Sequence, residues 1–318
     1  MNASFNPKGI LITGSSGMIA GEVVRRVLTD FPDSNLILLS TKPDKTATYF
    51  SDVMSSCSER ILITSNIEIL PETEYGTAML HSIDTVINLA GYPVSRGIFI
   101  NRSTVRMVRE SRITYTGNLI SRLAASGIKP ELFINASATA IYGSRDSVLT
   151  EKDEIKTDTG ELAGIVKEWE NEASRAGTLL SSGVTLLRFG NVISVKGGLL
   201  KNTLFLTGRG ILPVFGDGNQ IIPWISLKDV GRAVSFIISQ KITGAVNMCQ
   251  PRRTTATELF EKISIKLCNR KPILQLHIPA RIIRLTQRHA AVALLDSVPA
   301  FPEELSRNGF VFSNELTL

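Results

Sequence analysis

The chain has 318 residues, 43% hydrophobic and 20% charged, with a formal net charge of +6. That length holds one large domain or two intimately joined ones. The scattered basic excess, with no run of five Lys/Arg and no aromatic–basic interleaving, argues against a nucleic-acid partner, and no apolar run approaches the ~20 residues that span a bilayer.

The three cysteines, Cys57, Cys249 and Cys268, show neither metal nor CxxC spacing. The first strand begins too early for a cleaved leader. The expected setting is cytoplasmic and reducing, without a membrane partner or a metal.

Ile10, Leu11 and Ile12 form a short apolar run that meets glycines and restarts as a helix carrying Val23, Val24, Val27 and Leu28. Such a turn leaves free N–H groups at the helix N-terminus, where the dipole attracts a pyrophosphate. Gly14 permits the tight turn and Gly17 lets a cofactor approach the backbone. Ala20 supplies the third small position, for helix-on-strand packing. Asn35–Ser40 reads as a second buried strand and Ile61–Ile63 as a third. Asp84–Gly91 is a fourth that ends on small residues. Residues 101–126 carry helical spacing, Leu132–Ser137 a fifth strand, residues 160–177 a helix, and Val184–Phe189 a sixth strand. The charged stretch Glu151–Lys156 reads as a solvated loop.

This alternation predicts an α/β, Rossmann-type doubly wound parallel sheet over residues 1–190. Past Asn191 glycine and proline become dense. Residues 191–318 are expected to form mainly a smaller C-terminal substrate-binding lobe, with sheet elements returning at about 224–250 through a helix at 227–240 and a strand at 244–248.

Two strand ends bear on the cofactor. NAD enzymes place Asp or Glu after the second strand to hold the ribose 2′-hydroxyl. Here Ser40-Thr41-Lys42 stands instead, which favours the 2′-phosphate of NADP(H). The small residues ending the fourth strand would leave the cofactor path open.

The segments TGSSGMIAG, DTVINLAG and NASATAIYG, taken in order, resemble the extended, epimerase-like short-chain dehydrogenase/reductases. Glu110-Ser-Arg112, Lys167-Glu-Trp169-Glu170, Leu187-Arg188-Phe-Gly-Asn191, Gly216-Asp-Gly218 and Gly309-Phe-Val-Phe narrow the resemblance to their atypical "epimerase family protein" subgroup. It covers nearly the whole chain. It implies pyrophosphate contacts at Gly14, Ser15, Gly17, Met18 and Ile19, and 2′-phosphate contacts at Thr41 and Lys42. It also implies a cofactor path along Leu89, Ala90 and Gly91, with Arg112 reaching the cofactor and Asn191 near the nicotinamide. A homodimer through the helices at 101–126 and 160–177 is a further implication.

The departures concern mechanism. Ordinary members carry Tyr and Lys four residues apart on one helix face, the lysine tuning the phenol as a proton donor. The helix Glu161–Glu170 holds no tyrosine. The pair falls on Leu162 and Val166, or on Ala163 and Lys167. Ser137 and Tyr142 are the nearest polar candidates for the acid, with Thr139 and Lys167 behind them. Trp169 reads as a core anchor and Trp224 as a wall of the substrate site. His81, His277 and His289 read as non-catalytic. The arginine that grips a sugar-nucleotide diphosphate is replaced by Ile222. The main reading is therefore an NADP(H)-dependent oxidoreductase or isomerase acting on a small carbonyl or alcohol. The alternatives are a non-catalytic NADP(H)-binding sensor or assembly protein, and a nucleotide-sugar epimerase.

Overall fold

The structure, a computed structural model, describes residues 4–93, 102–155, 160–286, 290–313 and 316. Its strands in chain order are β1 (Gly9–Thr13), β2 (Asn35–Leu39), β3 (Ile61–Thr64), β4 (Ile83–Asn88), β5 (Leu132–Ala138) and β6 (Gly183–Phe189), followed by β7 (Asn191–Ile193), β8 (Ile211–Phe215), β9 (Trp224–Ser226), β10 (Gly244–Met248) and β11 (Leu274–Ile278). Seven of them build one parallel sheet in the order β3-β2-β1-β4-β5-β6-β10. The strand order reverses between β1 and β4, which places a ligand crevice at their carboxyl ends.

The continuous apolar runs are apolar because both faces are covered. Ile10 and Ile12 face one layer, packed against Val23, Val24 and Val27 of the helix Met18–Asp30 and Val234, Ile237 and Ile238 of the helix Leu227–Gln240. Leu11 faces the other layer, with Leu119, Ile120, Ala173 and Ala176 of the helices Tyr115–Ala125 and Glu161–Leu179. Each fully buried Leu or Ile side chain contributes about 1.5–3 kcal/mol. The lobe has its own core, in which Leu212, Val214, Ile222, Trp224, Leu259 and Phe260 meet.

Two expectations change, and the structure adds elements that the sequence did not suggest. The helix expected at 101–126 is described from Arg102, and a π-helical turn at Glu110–Thr114 interrupts it. The stretch after β2 holds the short helices Pro43–Tyr49 and Ser51–Cys57, and the Gly/Pro-rich lobe contains the parallel pair β8–β11. Glu151 is not simply solvated: its carboxylate accepts the backbone N–H groups of Asn247 at 2.8 Å and Glu303 at 3.1 Å. Burial pushes its pKa up, partly offset by those bonds. Lys156 and His289 lie outside the described residues.

Candidate functional site

The turn after β1 is built for close approach. Gly14 adopts φ +66°, and a Cβ there would lie 2.7 Å from the Leu89 carbonyl oxygen and 2.8 Å from Ala90. Only glycine meets both demands. Gly17 is the N-cap of the helix Met18–Asp30, with no side-chain cap and no acidic residue in the first turn. The N–H groups of that turn thus keep their positive end toward the crevice. Met18 and Ile19, both half-buried against the core, start this helix, and Met18 also lies beneath Gly197 of the lobe. The Ser15 side chain points inward and donates to the Leu39 carbonyl at 3.3 Å, tying the turn to the end of β2. Any contact of Ser15 with an anion therefore falls to its backbone.

Beyond β2, Ser40 accepts the Lys42 N–H at 3.1 Å and the Thr46 hydroxyl at 2.7 Å. These bonds fix the turn on which the exposed Thr41 and Lys42 stand. No carboxylate occurs from Leu36 to Pro43. Hydroxyl, ammonium and the absence of an acid form a set suited to a phosphate.

The end of β4 lies alongside the Gly14 turn and is held from behind by a polar cluster that sequence reasoning missed. The Thr13 hydroxyl donates to Asn88 Oδ1 at 2.6 Å and accepts the Ala90 N–H at 3.2 Å. Asn88 Nδ2 donates to Thr116 at 2.9 Å and to Asn135 Oδ1 at 2.7 Å, and the Trp169 indole donates to Thr116 at 3.0 Å. Tyr115 bonds Thr13, and burial raises its pKa. This layer fixes the path of Leu89, Ala90 and Gly91. Its one sequence signal was two asparagines, Asn88 and Asn135, inside otherwise apolar strands.

Arg112, on the π-turn, donates to the Tyr92 carbonyl at 2.9 Å and stacks over Trp169 with 5.1 Å to the ring centre. Its guanidinium lies beside Gly91. Burial lowers its pKa to about 10, and among the described residues no carboxylate pairs with it. A partly desolvated cation beside the glycine-rich strand end suits an anionic ligand.

The two expected acids are both hydrogen-bonded in the interior. Ser137, 4% exposed, donates to Glu170 Oε1 at 2.5 Å. Glu170 accepts a two-pronged bond from Arg188, both contacts at 2.9 Å. Arg188 also donates to the Tyr142 hydroxyl at 2.8 Å, and that hydroxyl lies 2.8 Å from Asn247 Oδ1. Ser137, Arg188 and Asn247 stand side by side on β5, β6 and β10. Tyr142 is fully buried. Burial, against the opposing pull of Arg188, pushes its pKa up to about 12, the wrong direction for acid–base work near neutrality. The side chains of Ser137 and Tyr142 are thus both engaged in an interior network. Thr139, also buried, donates to the Phe189 carbonyl at 3.3 Å. Leu162 and Val166 pack into apolar clusters.

Asn191, half-buried on β7, pairs with Trp224 on β9, and its backbone N–H donates to the Pro223 carbonyl at 2.7 Å. Trp224 is 6% exposed and donates to Thr254 at 3.2 Å, so most of its ring is lobe core. One edge lines a cavity of about 360 Å³ with Gln250, Arg252, Thr254 and Lys262.

Comparisons with known proteins agree with this fold. The NAD dependent epimerase/dehydratase family matches residues 10–249. Epimerase family protein ML0860 of Mycobacterium leprae is 33% identical over 249 residues, covering 76% of this chain and 77% of that protein. Epimerase family protein SH2119 of Staphylococcus haemolyticus is 27% identical over 314 residues, covering 96% and 95%. Among solved structures, human epimerase family protein SDR39U1 (isoform 2) with NADPH superposes with TM-score 0.78 at 21% identity, covering 97% of this chain and 96% of that one. UDP-glucuronic acid 4-epimerase from Bacillus cereus, in complex with UDP-glucuronic acid and NAD, gives 0.70 at 14% identity, covering 98% and 94%. At these identities the structural likenesses speak for the fold.

Proposed function

Because this chain belongs to the NAD dependent epimerase/dehydratase family, we propose that it binds NADP(H) at the carboxyl ends of β1, β2 and β4, and that it acts as an oxidoreductase or isomerase on a small, partly apolar carbonyl or alcohol. The observation that carries the reading is the uncapped helix start at Gly17, reached over a Gly14 turn that tolerates no Cβ. The backbone at Gly14–Ile19 would hold the pyrophosphate. Thr41 and Lys42 would hold the 2′-phosphate, Leu89–Gly91 would flank the cofactor, and Arg112 would balance its charge. The nicotinamide, when bound, supplies or accepts the hydride. The chain's own residues bind and orient it, and neither Ser137 nor Tyr142 moves the proton.

Two observations support NADP(H) over NAD(H): no acid occurs from Leu36 to Pro43, and a human protein of similar fold is bound to NADPH. Ile222 argues against a nucleotide sugar. Where a diphosphate-gripping arginine would stand, it is 4% exposed within the apolar lobe core. Arg209 does not replace that arginine, since it stacks on Phe205, an exposed residue, at 3.8 Å.

A second reading, a non-catalytic NADP(H)-binding sensor or assembly protein, is favoured by one fact. The helix Glu161–Leu179 has no tyrosine, and the nearest hydroxyls are already engaged. Incubating the purified protein with NADPH and a panel of small aldehydes and ketones, followed by loss of NADPH absorbance, separates the two. The proposal expects turnover of an apolar carbonyl and none of a UDP-sugar. Tight NADPH binding without turnover of any member would transfer the assignment to the second reading.

A further inference from the structure

Residues 262–295 contain seven Lys/Arg and no Asp or Glu. Within that stretch the structure exposes apolar side chains that a lone globular surface would cover. Ile273 is 70% exposed, Leu274 57%, Ile282 51% and Leu285 84%. They flank a short path: β11 runs through Leu274–Ile278, and the helix Ala280–Thr286 follows at once. The Ile278 carbonyl at the end of β11 accepts the Gly216 N–H, and the Pro279 carbonyl accepts the Ile282 N–H as the helix begins. Arg270, Lys271, Arg281 and Arg284 are exposed among these residues. Asp296, the next acid along the chain, feels the charge of Arg284.

β11 pairs only with β8 among the described residues, so it also carries a free strand edge. An exposed apolar edge is a liability unless something covers it. Charge decides between the candidate covers. Residues 191–318 carry sixteen Lys/Arg against eight Asp/Glu, whereas residues 1–190 carry nineteen against twenty-one. Docking this face on a second copy would press two basic lobes together. An anionic phospholipid surface complements it.

We propose that the segment Arg270–Leu285 docks the protein on the surface of anionic bilayers. Ile273, Leu274, Ile282 and Leu285 enter the boundary between headgroups and acyl chains, and the four cations meet lipid phosphates. No helix among the described residues is long and apolar enough to cross a membrane, and none is needed. An interfacial segment requires an apolar side and a basic rim rather than a ~20-residue span. The expectation of no membrane partner rested on span length alone, and this proposal replaces it.

Co-sedimentation of the full chain with phosphatidylcholine vesicles, and with phosphatidylcholine vesicles doped with phosphatidylglycerol, tests the proposal. Binding to the doped vesicles only, weakened by added salt, is expected. Leu285→Glu combined with Leu274→Glu, and separately Arg281→Gln combined with Arg284→Gln, should each lower partitioning at least about tenfold. Far-UV circular dichroism and melting temperature should stay near those of the parent, which shows that the variants fold. Equal binding to both vesicle types, no binding to either, or doped-vesicle binding indifferent to both variants would overturn the proposal. So would a concentration-dependent dimer in light scattering that Leu274→Glu abolishes, which would assign the face to a second copy.

Discussion

The Arg188 guanidinium donates to the Tyr142 hydroxyl at 2.8 Å while gripping Glu170 with its other edge. The arrangement uses a tyrosine to complete the partners of a buried ion pair. Arg188 stays charged: burial opposes its charge, but the bonds it donates to Glu170 and the Glu170 charge outweigh that and raise its pKa. Breaking one partner of such a pair costs about 3–5 kcal/mol, because the other charge remains buried. Glu170→Gln should therefore lower unfolding free energy by about that amount in urea titrations. Tyr142→Phe should cost about 1–3 kcal/mol, the penalty for an unsatisfied buried donor. Neither variant should change NADPH affinity per folded molecule or any measured turnover. A Tyr142→Phe enzyme that folds normally and loses turnover would restore Tyr142 as an acid.

Thr41 and Lys42 test the choice of cofactor. A hydrogen bond to a charged group contributes about 1.5–3 kcal/mol, and exposure reduces it here. Thr41→Ala combined with Lys42→Ala should weaken NADPH binding about tenfold and leave NADH binding unchanged, read by fluorescence titration. Equal weakening of both nucleotides would move the 2′-phosphate contact elsewhere.

The two glycines of the cradle should behave differently. Gly17 has φ −79°, open to any residue, and its Cβ would meet only the Gly14 carbonyl, at 3.1 Å. Gly17→Ala is expected to fold and to lose NADPH affinity, because the methyl group occupies the anion's approach. Gly14→Ala is strained in φ and collides with the Leu89 carbonyl. It should lose about 1–3 kcal/mol of stability as well as binding. Melting temperatures beside calorimetric affinities separate the two effects.

Glu151 gives a pH signature. Its folded pKa lies above the ordinary glutamate value of 4.5, chiefly through burial, so the folded state binds the proton more tightly. Its contribution to stability is complete below pH 4.5 and is lost as pH rises through the folded pKa. The Glu151→Gln variant lacks this titration. The difference in unfolding free energy between parent and variant should therefore slope across that window and flatten above it. A difference independent of pH would show that Glu151 titrates normally.

Much of the sheet was legible because parallel strands covered on both faces must be continuously apolar, as Ile10–Ile12 and Leu36–Leu38 are. The cradle was legible because the strand, the glycines and the helix follow one another locally. β8 and β11 were not, since Pro213 and the exposed Leu274 and Leu276 disturb any strand period. The π-turn that carries Arg112 leaves no mark in residue type. The partners of Ser137 and Tyr142 were not legible, because polarity near a strand end is compatible with a catalyst or a buried network, and Glu170 and Arg188, which bond them, lie far off in sequence.

The central claim is that the Gly14–Ile19 backbone and the Thr41-Lys42 turn together hold a phosphorylated pyridine nucleotide. Isothermal titration of the folded protein with NADPH and, separately, NADH tests it most directly. The account predicts saturable one-site binding of NADPH, at least about tenfold tighter than that of NADH. Heat from neither nucleotide, or tighter binding of NADH, would contradict it.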